Sequence, residues 1–563
     1  MSEPPTPIDA AAPAGNIADA LRAQARARPQ AVAMQLALGG GRFASLSYAE
    51  LEAASDEVAA GLGALGLHVG ARVALMVRPS PAFFALMFGL FKGGLVPVLI
   101  DPGIAKRALK ECLDEADPQA FIGIPLALVA RRVLRWAPRA TLAVAVGPRW
   151  FFGLTTDRKL RAAGRAAITA GWQPPRTTPD DLAAILFTSG STGLPKGVEY
   201  QHAQLLAQVE LLASAFGIGA GEVDLATFPP FALFDPGMGM TSVIPEMDPT
   251  RPASADPRKL IAAIERFGVT TMFGSPALLD TLTRHAQIHD VRLQGLKRVL
   301  SAGAPVRPEI IERAYRMLPE GAQLWTPYGA TECLPVAIVE GREILADARA
   351  QTDRGAGILV GRAVAPNEVR IIATCDAAIE RWADTEALPN GEIGEIVVRG
   401  PTVTRAYFRR DAATRLAKII DGETLWHRMG DLGYFDAHGR LWYLGRKSQR
   451  VVLGQTTLYP EQVEGIFNTH PQVKRSALVG VTVDSARQAW VLVELKPEAH
   501  GTRWPQHRSE LETLRANHPA MAQVSGFLPH RRFPVDIRHN AKIGREALAR
   551  WATQQIPRHA RSP

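Results

Sequence analysis

The sequence predicts an α/β protein that has a large N-terminal body with mostly parallel sheets and a small α+β C-terminal domain. Three observations predict this class. Short apolar runs of strand length alternate with segments in which apolar residues recur at helical spacing. Glycines and prolines typical of turns separate these segments. After Asp431 the pattern changes to short strands and one clear helix start, which indicates a second domain.

The first predicted elements alternate between helix and strand. Apolar residues at helical spacing predict a helix over Ser47–Leu65, and Val73–Val77 is a short apolar run typical of a buried strand. A helix over Pro81–Phe91 ends at paired glycines, and the strand Val96–Ile100 follows. The alternation returns later in Ala183–Phe187, Leu260–Phe267, Thr270–Phe273 and Leu296–Ser301. Because strand, helix and strand in succession usually form a parallel pair, these segments predict one large α/β body.

The C-terminal domain is expected to begin near residue 448. Tyr459-Pro460 places a proline where the first turn of a helix tolerates it, and the strands Ala477–Val483 and Ala489–Leu495 follow. The predicted organisation is a flexible N-terminus over residues 1–15, a body over residues 16–447 and a C-terminal domain over residues 448–563.

The composition is that of a soluble, enzyme-sized globular protein. The chain has 563 residues, 47% of them hydrophobic, and 64 lysines and arginines against 55 aspartates and glutamates give a net charge of +9. This balance excludes disordered and fibrous proteins. Cys112, Cys333 and Cys375 are widely spaced, which argues against a disulfide framework and a cysteine-built zinc site. No secretory signal is present, and a lysine and a proline interrupt the most apolar stretch, so we expect a cytoplasmic protein.

A basic segment from Arg131 to Arg165 contains nine basic residues and one acidic residue, interleaved with apolar residues. A solvated helix face followed by a loop is the simplest interpretation. The alternative is a basic amphipathic surface that meets a membrane, an acidic protein or a lipid substrate. The segment also leaves open a function of another class, a basic scaffold that binds polyanions or membranes. It contains no motif that reads nucleic acid, so no nucleic-acid partner is expected.

The strongest local signal is the segment Thr188–Gly197, which reads TSGSTGLPKG and directly follows the apolar run Ala183–Phe187. Its glycines let the backbone curl so that successive N–H groups face an anion, its hydroxyls add donors, and Lys196 adds positive charge. The spacing differs from the GxxxxGK[ST] loop of the P-loop NTPases. The segment therefore predicts a loop that binds polyphosphate.

The same segment resembles the phosphate loop of the adenylate-forming superfamily, which includes acyl-CoA synthetases, fatty acyl-AMP ligases, luciferases and peptide-synthetase adenylation domains. Other segments match that family in the same order and extend the resemblance over nearly the whole chain: Leu46–Leu51, Ser301–Pro305, Tyr328–Glu332, Trp426–Leu432, Gly445–Arg446 and Asn540–Arg545. The resemblance implies an ATP-dependent ligase that uses Mg²⁺ and whose C-terminal domain is a mobile lid.

The resemblance also implies roles for individual residues. Thr188 and Glu332 would hold Mg²⁺, and Lys542 would act on the reacting phosphate, so these three are the implied catalytic residues. Tyr328 would stack on adenine, and Asp431 would accept hydrogen bonds from the ribose hydroxyls. The implied nucleotide-binding residues are Thr188, Ser189, Gly190, Ser191, Thr192, Gly193, Lys196, Gly303, Ala304, Pro305, Tyr328, Gly329, Ala330, Thr331, Asp431 and Arg446.

The segment Phe228–Phe234 is similar to the acyl-pocket segment of the family, which implies that Phe231, Ala232 and Phe234 contact the substrate. Ala232 stands where many relatives place a histidine or an aromatic residue. A smaller side chain there leaves room for a branched acyl group. Ordinary core packing of an aromatic-rich strand explains the segment equally well.

The hinge and the thiol channel depart from the pattern of thioester-forming relatives. Ser448 stands where those relatives usually have an Asp or a Lys, and Gln455 stands where they usually have a glycine, which is displaced to Gly454. With these departures, the chain looks most like the olefin β-lactone synthetases of bacterial long-chain hydrocarbon synthesis. The resemblance implies that the 3-hydroxyl of a 2-alkyl-3-hydroxy fatty acid closes on the activated carboxyl group to form a β-lactone.

Several points stay open in the sequence. The alternatives among enzymes are a long-chain fatty acyl-CoA synthetase and a fatty acyl-AMP ligase. The base that takes the hydroxyl proton is unidentified, with His202, His427 and the phosphate of the departing AMP as candidates. The implied partners are a lipid substrate and the other enzymes of the olefin pathway: a thiolase-like condensing enzyme, a ketone reductase and a β-lactone decarboxylase. Any membrane contact is expected to be peripheral.

Overall fold

The computed structural model describes residues 15–101, 103–104, 106–147, 155–188, 195–499, 503–535 and 543–559. The chain divides into two units, of which unit 1 comprises residues 1–246 and 401–411 and unit 2 comprises residues 247–400 and 412–563. The predicted boundary between a body and a C-terminal domain near residue 448 stays a prediction.

Unit 1 contains eight α-helices and eleven strands within its described residues. The helices are α1 (Asp19–Ala27), α2 (Tyr48–Ala64), α3 (Pro81–Lys92), α4 (Lys106–Ala116), α5 (Pro125–Leu134), α6 (Asp157–Thr169), α7 (His202–Phe216) and α8 (Asp235–Met238). The strands are β1 (Val32–Gly39), β2 (Arg42–Ser47), β3 (Arg72–Met76), β4 (Val96–Ile100), β5 (Ala120–Gly123), β6 (Leu142–Ala145), β7 (Thr155–Thr156), β8 (Leu182–Thr188), β9 (Lys196–Gln201), β10 (Val223–Ala226) and β11 (Thr241–Ile244).

The larger sheet of unit 1 has the strand order β7-β6-β5-β3-β4-β8-β9. Its pairs are parallel except for the last one, in which β8 and β9 run antiparallel. A second group pairs β10, β11, β1 and β2 in that order. Helices follow β3, β4 and β5, as expected for parallel strands that need crossover connections. The predicted βα alternation in this part of the chain is therefore confirmed.

Local signals explain where the first helices begin. Ser47 caps α2 in a capping box, because its hydroxyl accepts from the Glu50 amide at 3.2 Å while the Glu50 carboxylate accepts from the Ser47 amide at 2.7 Å. Pro81 occupies the first turn of α3 after the cap Ser80. All residues of α3 from Phe83 to Lys92 are buried, so this helix lies inside the unit.

Unit 2 contains the remaining elements of the described chain. Its α-helices are α9 (Pro257–Phe267), α10 (Pro276–Ile288), α11 (Pro308–Met317), α12 (Gly341–Glu343), α13 (Arg349–Thr352), α14 (Asp411–Ala417), α15 (Pro460–Phe467), α16 (Trp504–Ala516) and α17 (Arg545–His559). Its strands are β12 (Thr271–Phe273), β13 (Arg298–Leu300), β14 (Gln323–Ala330), β15 (Cys333–Glu340), β16 (Ile358–Ala363), β17 (Glu368–Ile372), β18 (Gly394–Arg399), β19 (Lys418–Asp421), β20 (Thr424–Phe435), β21 (Leu441–Arg446), β22 (Val451–Leu453), β23 (Thr456–Leu458), β24 (Val473–Val483), β25 (Ala486–Leu495) and β26 (Val524–Pro529).

Strand direction in unit 2 changes at β14. Strands β12, β13 and β14 are parallel, whereas β14 to β21 pair antiparallel in the order β14-β15-β16-β21-β20-β18-β17. The mostly parallel pairing predicted from the sequence thus holds up to β14. Beyond it, short turns such as the two-residue turn at Thr331-Glu332 join neighbouring strands, and short turns permit only antiparallel pairs.

The last hundred residues form a three-stranded sheet covered on both faces. Strands β24 and β25 pair antiparallel, and β26 pairs parallel to β25. Helices α15 and α16 pack on one face through residues such as Phe467 and Leu511, and α17 packs on the other through Leu548 and Ala552. This arrangement agrees with the α+β character predicted for the C-terminal part. No helix in the described residues has the length and hydropathy of a bilayer span.

Candidate active site

Asp431 lies at the centre of a polar cluster in unit 2. Strands β20 and β21 are antiparallel neighbours, and their register places Asp431 directly opposite Arg446. Arg446 Nη1 lies 3.1 Å from Asp431 Oδ1, and the Tyr328 hydroxyl donates to Asp431 Oδ2 at 2.6 Å. The structure therefore brings together three residues that the sequence assigned to nucleotide binding and that come from three different strands.

The charges of this cluster are stabilised by its own members. Burial, and then the negative charge of Asp431, raise the pKa of Tyr328 well above its usual range, so the phenol stays protonated and donates. The negative charge of Asp431 raises the pKa of the Arg446 guanidinium above its ordinary value, so this side chain stays positively charged. Asp431 itself is only 3% exposed. A buried carboxylate that is held by a cation and one hydroxyl has acceptor capacity left for hydroxyl groups, which fits the ribose of a nucleotide.

Glu332 lies in the two-residue turn between β14 and β15. Its carboxylate acts electrostatically on two cations, the Arg446 guanidinium and the buried ammonium of Lys418 at the start of β19. Burial lowers the pKa of Lys418 to about 8, and the Glu332 carboxylate opposes that shift. A carboxylate oxygen at a turn is a suitable hard ligand for Mg²⁺. Sequence analysis missed Lys418; the signal was a lysine inside the apolar run 416–420.

The turn Gly303-Ala304-Pro305 follows β13, which ends beside Trp325 in the first half of β14. The Ser301 amide donates to the Trp325 carbonyl at 2.9 Å, and Leu300 pairs with Trp325. Because β13 and β14 are parallel, the chain after β13 leaves the sheet on the same side as the later residues of β14. This side of the sheet therefore carries the predicted turn together with Tyr328, Gly329, Ala330 and Thr331. The roles assigned to these residues stay predictions.

The phosphate-loop prediction falls partly outside the described residues. Thr188 ends β8 and pairs with Lys196 at the start of β9, so the loop follows a strand as predicted. Lys196 is exposed, and its Nζ lies 4.8 Å from the centre of the Tyr407 ring. The residues Ser189, Gly190, Ser191, Thr192, Gly193 and Lys542 lie outside the described residues, as does the side chain of Thr188.

The predicted acyl-pocket residues lie on a 3₁₀ turn over Pro229–Leu233 in unit 1. Ala232 is fully buried, whereas Phe231 and Phe234 are half-buried. The Phe228 and Phe231 rings make an edge-to-face contact with centroids 4.9 Å apart, and the Phe231 and Phe234 centroids lie 6.5 Å apart. The partly accessible surface of this segment is thus aromatic, and its contact with substrate stays a prediction.

A buried pair of carboxyl groups, Asp224 and Asp235, lies next to this segment and was missed by sequence analysis. Asp224 is on β10, and Asp235 opens α8 and is hydrogen-bonded to the Ser242 hydroxyl. Burial raises the pKa of Asp235 to about 7, and burial and then Asp235 raise the pKa of Asp224 well above its usual value. The available signal was an acid inside the apolar run Val223–Ala226.

Both histidines considered as bases are buried and hydrogen-bonded to the main chain. His202 Nδ1 accepts from the Ile17 amide at 3.3 Å, and burial lowers the pKa of His202 to about 4. His427 Nδ1 lies 3.2 Å from the Ala417 carbonyl. These contacts are typical of structural histidines, so we assign neither ring as the base for ring closure.

The region of the predicted hinge is tied to the strands before it. Lys447 Nζ lies 3.0 Å from the buried carboxylate of Glu395 and donates to the Cys375 carbonyl at 2.7 Å. Gly454 and Gln455 form the two-residue turn between β22 and β23, and Gly454 has φ +60°. Glycine is favoured at this position because the turn needs a left-handed residue there. The displaced glycine noted in the sequence thus has a local structural cause.

Comparisons with known proteins show which family the chain resembles. A family model described as AMP-binding enzyme matches residues 21–408. The chain is 56% identical over 553 residues to an olefin beta-lactone synthetase from Xanthomonas campestris pv. campestris, which covers 96% of this chain and 98% of that protein. It is 55% identical over 560 residues to an olefin beta-lactone synthetase from Stenotrophomonas maltophilia, which covers 97% of this chain and 99% of that protein.

A solved structure supports the fold. The amide bond synthetase McbA from Marinactinospora thermotolerans matches with a TM-score of 0.74 at 24% identity, over 95% of this chain and 100% of that chain. A likeness at this identity concerns the fold alone. The predicted fold class and the predicted resemblance are both confirmed, and the predicted class of ATP-dependent ligase follows from the family. On the evidence of the family match and of relatives that extend over nearly its whole length, the chain belongs to the AMP-binding enzyme family.

Proposed function

We propose that the chain uses ATP to activate a long-chain 2-alkyl-3-hydroxy fatty acid as its acyl adenylate and then closes that adenylate to a β-lactone with release of AMP. The observation that carries this proposal is the identity of 55–56% over nearly the full length to two olefin beta-lactone synthetases. The departures from thioester-forming relatives at Ser448 and Gln455 support the same choice.

In the first step, a carboxylate oxygen of the substrate attacks the α-phosphorus of ATP and the bond to pyrophosphate breaks. Two anions approach each other and charge builds up on the phosphoryl oxygens, so the barrier is mainly electrostatic. The Asp431–Arg446–Tyr328 cluster would hold the ribose and adenine, and the Thr188–Gly197 loop and Lys542 would meet the phosphates.

Glu332 and Thr188 would hold Mg²⁺, which neutralises phosphate charge when it is bound. The Glu332 carboxylate fits this role because it lies in the turn between β14 and β15 and offers hard oxygen atoms to the cation. The negative charge of this carboxylate acts on the Arg446 guanidinium and the Lys418 ammonium, so the proposed cation site has both signs of charge around it.

In the second step, the 3-hydroxyl oxygen attacks the acyl carbon and the carbon–oxygen bond to AMP breaks. The nucleophile is part of the substrate, so a high effective concentration replaces an external thiol. We assign the hydroxyl proton to a phosphate oxygen of the departing AMP, because His202 and His427 are engaged with the main chain. Exclusion of water would favour ring closure over hydrolysis of the adenylate.

The proposal extends to surroundings and partners. A thiolase-like condensing enzyme and a ketone reductase would supply the hydroxy acid, and a β-lactone decarboxylase would consume the product. Cys112, Cys333 and Cys375 form no disulfide, which suits a reducing compartment, and we propose a cytoplasmic enzyme.

An isotope experiment tests both steps. With ¹⁸O in the carboxylate and, separately, in the 3-hydroxyl group, we expect AMP to gain one carboxylate oxygen and the lactone to keep the hydroxyl oxygen. Mass spectrometry of AMP and low-temperature NMR of the product give the readout, without added coenzyme A. The matched 2-alkyl acid that lacks the 3-hydroxyl group should give no lactone.

Two results would contradict the proposal. Loss of the hydroxyl label from the lactone would mean that the hydroxyl, not the carboxyl, is activated. Product formation that strictly requires coenzyme A would instead identify a fatty acyl-CoA synthetase.

A further inference from the structure

Helix α5 presents an aliphatic stripe to solvent. Of the twelve large hydrophobic residues that are exposed in the described chain, four lie in this ten-residue helix: Leu126, Val129, Val133 and Leu134. Leu126 and Val133 are 70% and 71% exposed, so most of each side chain is in contact with solvent. Single exposed hydrophobic residues are common, but a cluster of this kind usually marks an interaction surface.

The stripe is distinct from the face by which α5 packs. Leu126, Val129 and Val133 recur at positions i, i+3 and i+7, which places them on one side of the helix. Leu128 points the other way, into a core cluster that contains Phe121 and Trp136. The packing of α5 against the core therefore does not use Leu126, Val129 or Val133.

Basic side chains border the stripe. Arg132 and Arg135 are exposed at the C-terminal end of α5, and Arg139 follows with its side chain 77% exposed. Arg131 behaves differently, because its guanidinium donates to the Ala140 carbonyl at 2.6 Å and lies over the Phe121 ring. Thus Arg131 is used for packing, while its neighbours face solvent.

The nearby acid does not neutralise this charge. Asp117 is shared by three guanidinium groups, with Arg139 at 3.0 Å, Arg409 at 3.9 Å and Arg72 at 4.0 Å. One carboxylate among three cations leaves a positive surface after α5. Farther along the chain, Arg161 and Arg165 both pair with Glu57 of α2 and so belong to helix packing.

We propose that the α5 surface, defined by Leu126, Val129, Val133, Leu134, Arg132 and Arg135, docks the protein onto an anionic phospholipid bilayer. The aliphatic side chains would enter the boundary between headgroups and acyl chains, and the arginines would meet the lipid phosphates. This surface is peripheral to the sheets and independent of the proposed chemistry. An anionic membrane matches the α5 surface in both of its features, because aliphatic and basic side chains lie side by side on one amphipathic helix.

Vesicle flotation of the full chain tests this proposal. We expect binding to vesicles of phosphatidylglycerol and phosphatidylethanolamine, and little binding to vesicles of phosphatidylcholine alone. The double variant R132E/R135E should weaken binding by about 25-fold or more, because each basic residue near an anionic surface contributes about fivefold. V133D should weaken it by about tenfold or more through loss of aliphatic contact.

Matched controls separate this surface from general charge and hydrophobicity. R26E changes an exposed arginine in the last turn of α1, and I288D changes an aliphatic residue that is 77% exposed at the end of α10. Both should bind vesicles like the unmodified chain. Thermal unfolding and AMP formation with detergent-dispersed substrate should be unchanged in all four variants, because none of these residues belongs to the site described above.

The proposal is overturned if the chain does not float with anionic vesicles at low salt, or if both α5 variants float as the unmodified chain does. If V133D fails to fold, R132E/R135E decides the result on its own.

Discussion

Asp235 illustrates how one residue acquires properties that its sequence context does not show. Its carboxyl group is buried beside Asp224 and hydrogen-bonded to Ser242, and burial raises its pKa to about 7. Between about pH 4 and pH 7, the unfolded chain releases the proton that the folded protein retains. The native state then binds more protons, so the contribution of Asp235 to the free energy of unfolding falls as the pH rises through this window.

We predict that D235N removes the part of this pH dependence that Asp235 contributes, while buried Asp224 keeps its own. The variant should gain up to about 4 kcal/mol relative to the unmodified chain between pH 4 and pH 8, since one pKa unit corresponds to about 1.4 kcal/mol. Urea unfolding at a series of pH values measures the effect. D290N, at a carboxyl group whose side chain is 90% exposed, is the control and should show no such gain. Parallel pH profiles for D235N and the unmodified chain would disprove the assignment.

At the scale of elements, the pairing of strands determines which side chains meet. Strands β18 and β20 bring the carboxylate of Glu395 within 2.6 Å of Arg428, and Lys447 after β21 lies 3.0 Å from the same carboxylate. Glu395 and Arg428 are almost completely buried. One carboxylate thus compensates two cations and also holds the chain just before the predicted hinge.

We predict that E395Q lowers the free energy of unfolding by about 3 to 5 kcal/mol, because it leaves two cations near the core without their anion. Chemical denaturation measures this loss. The control is E368Q on the adjacent strand β17, where the carboxylate is only half-buried and pairs with Arg399, and it should cost less than about 1 kcal/mol. Equal losses of stability in the two variants would show that the buried Glu395 carboxylate contributes no more than a half-buried ion pair does.

At the scale of the whole molecule, the proposed function assigns a catalytic role to Lys542, which lies near the C-terminus of the chain. Under the proposed function, K542A should slow pyrophosphate release by about 100- to 1000-fold, the usual effect of removing one charged group that stabilises a transition state. ATP binding, measured by calorimetry, should change by less than about threefold, since the residues assigned to the nucleotide remain. K159A, at an exposed lysine of α6, is the control. Unchanged pyrophosphate release in K542A would refute the role.

Much of the fold was predictable because it follows from local signals. The capping box at Ser47, the proline that opens α15 and the apolar runs of β3, β4 and β8 are short-range features, and the structure has these elements within a few residues of the predicted bounds. The residues Tyr328, Asp431 and Arg446 were predictable for a different reason. They lie in segments that resemble a known family. The distances between them along the chain do not by themselves predict that the three side chains meet.

The sequence by itself determined which segments are helices and strands, the kind of enzyme, and the candidate residues for nucleotide and substrate. Only the tertiary structure decided that Tyr328 meets Asp431, that Lys418 lies near Glu332, and that α5 exposes four aliphatic residues within the basic segment. The physical reason is that helix and strand formation depends on neighbours along the chain. Strand register, desolvation and charge pairing depend instead on residues distant in sequence, which only folding brings together.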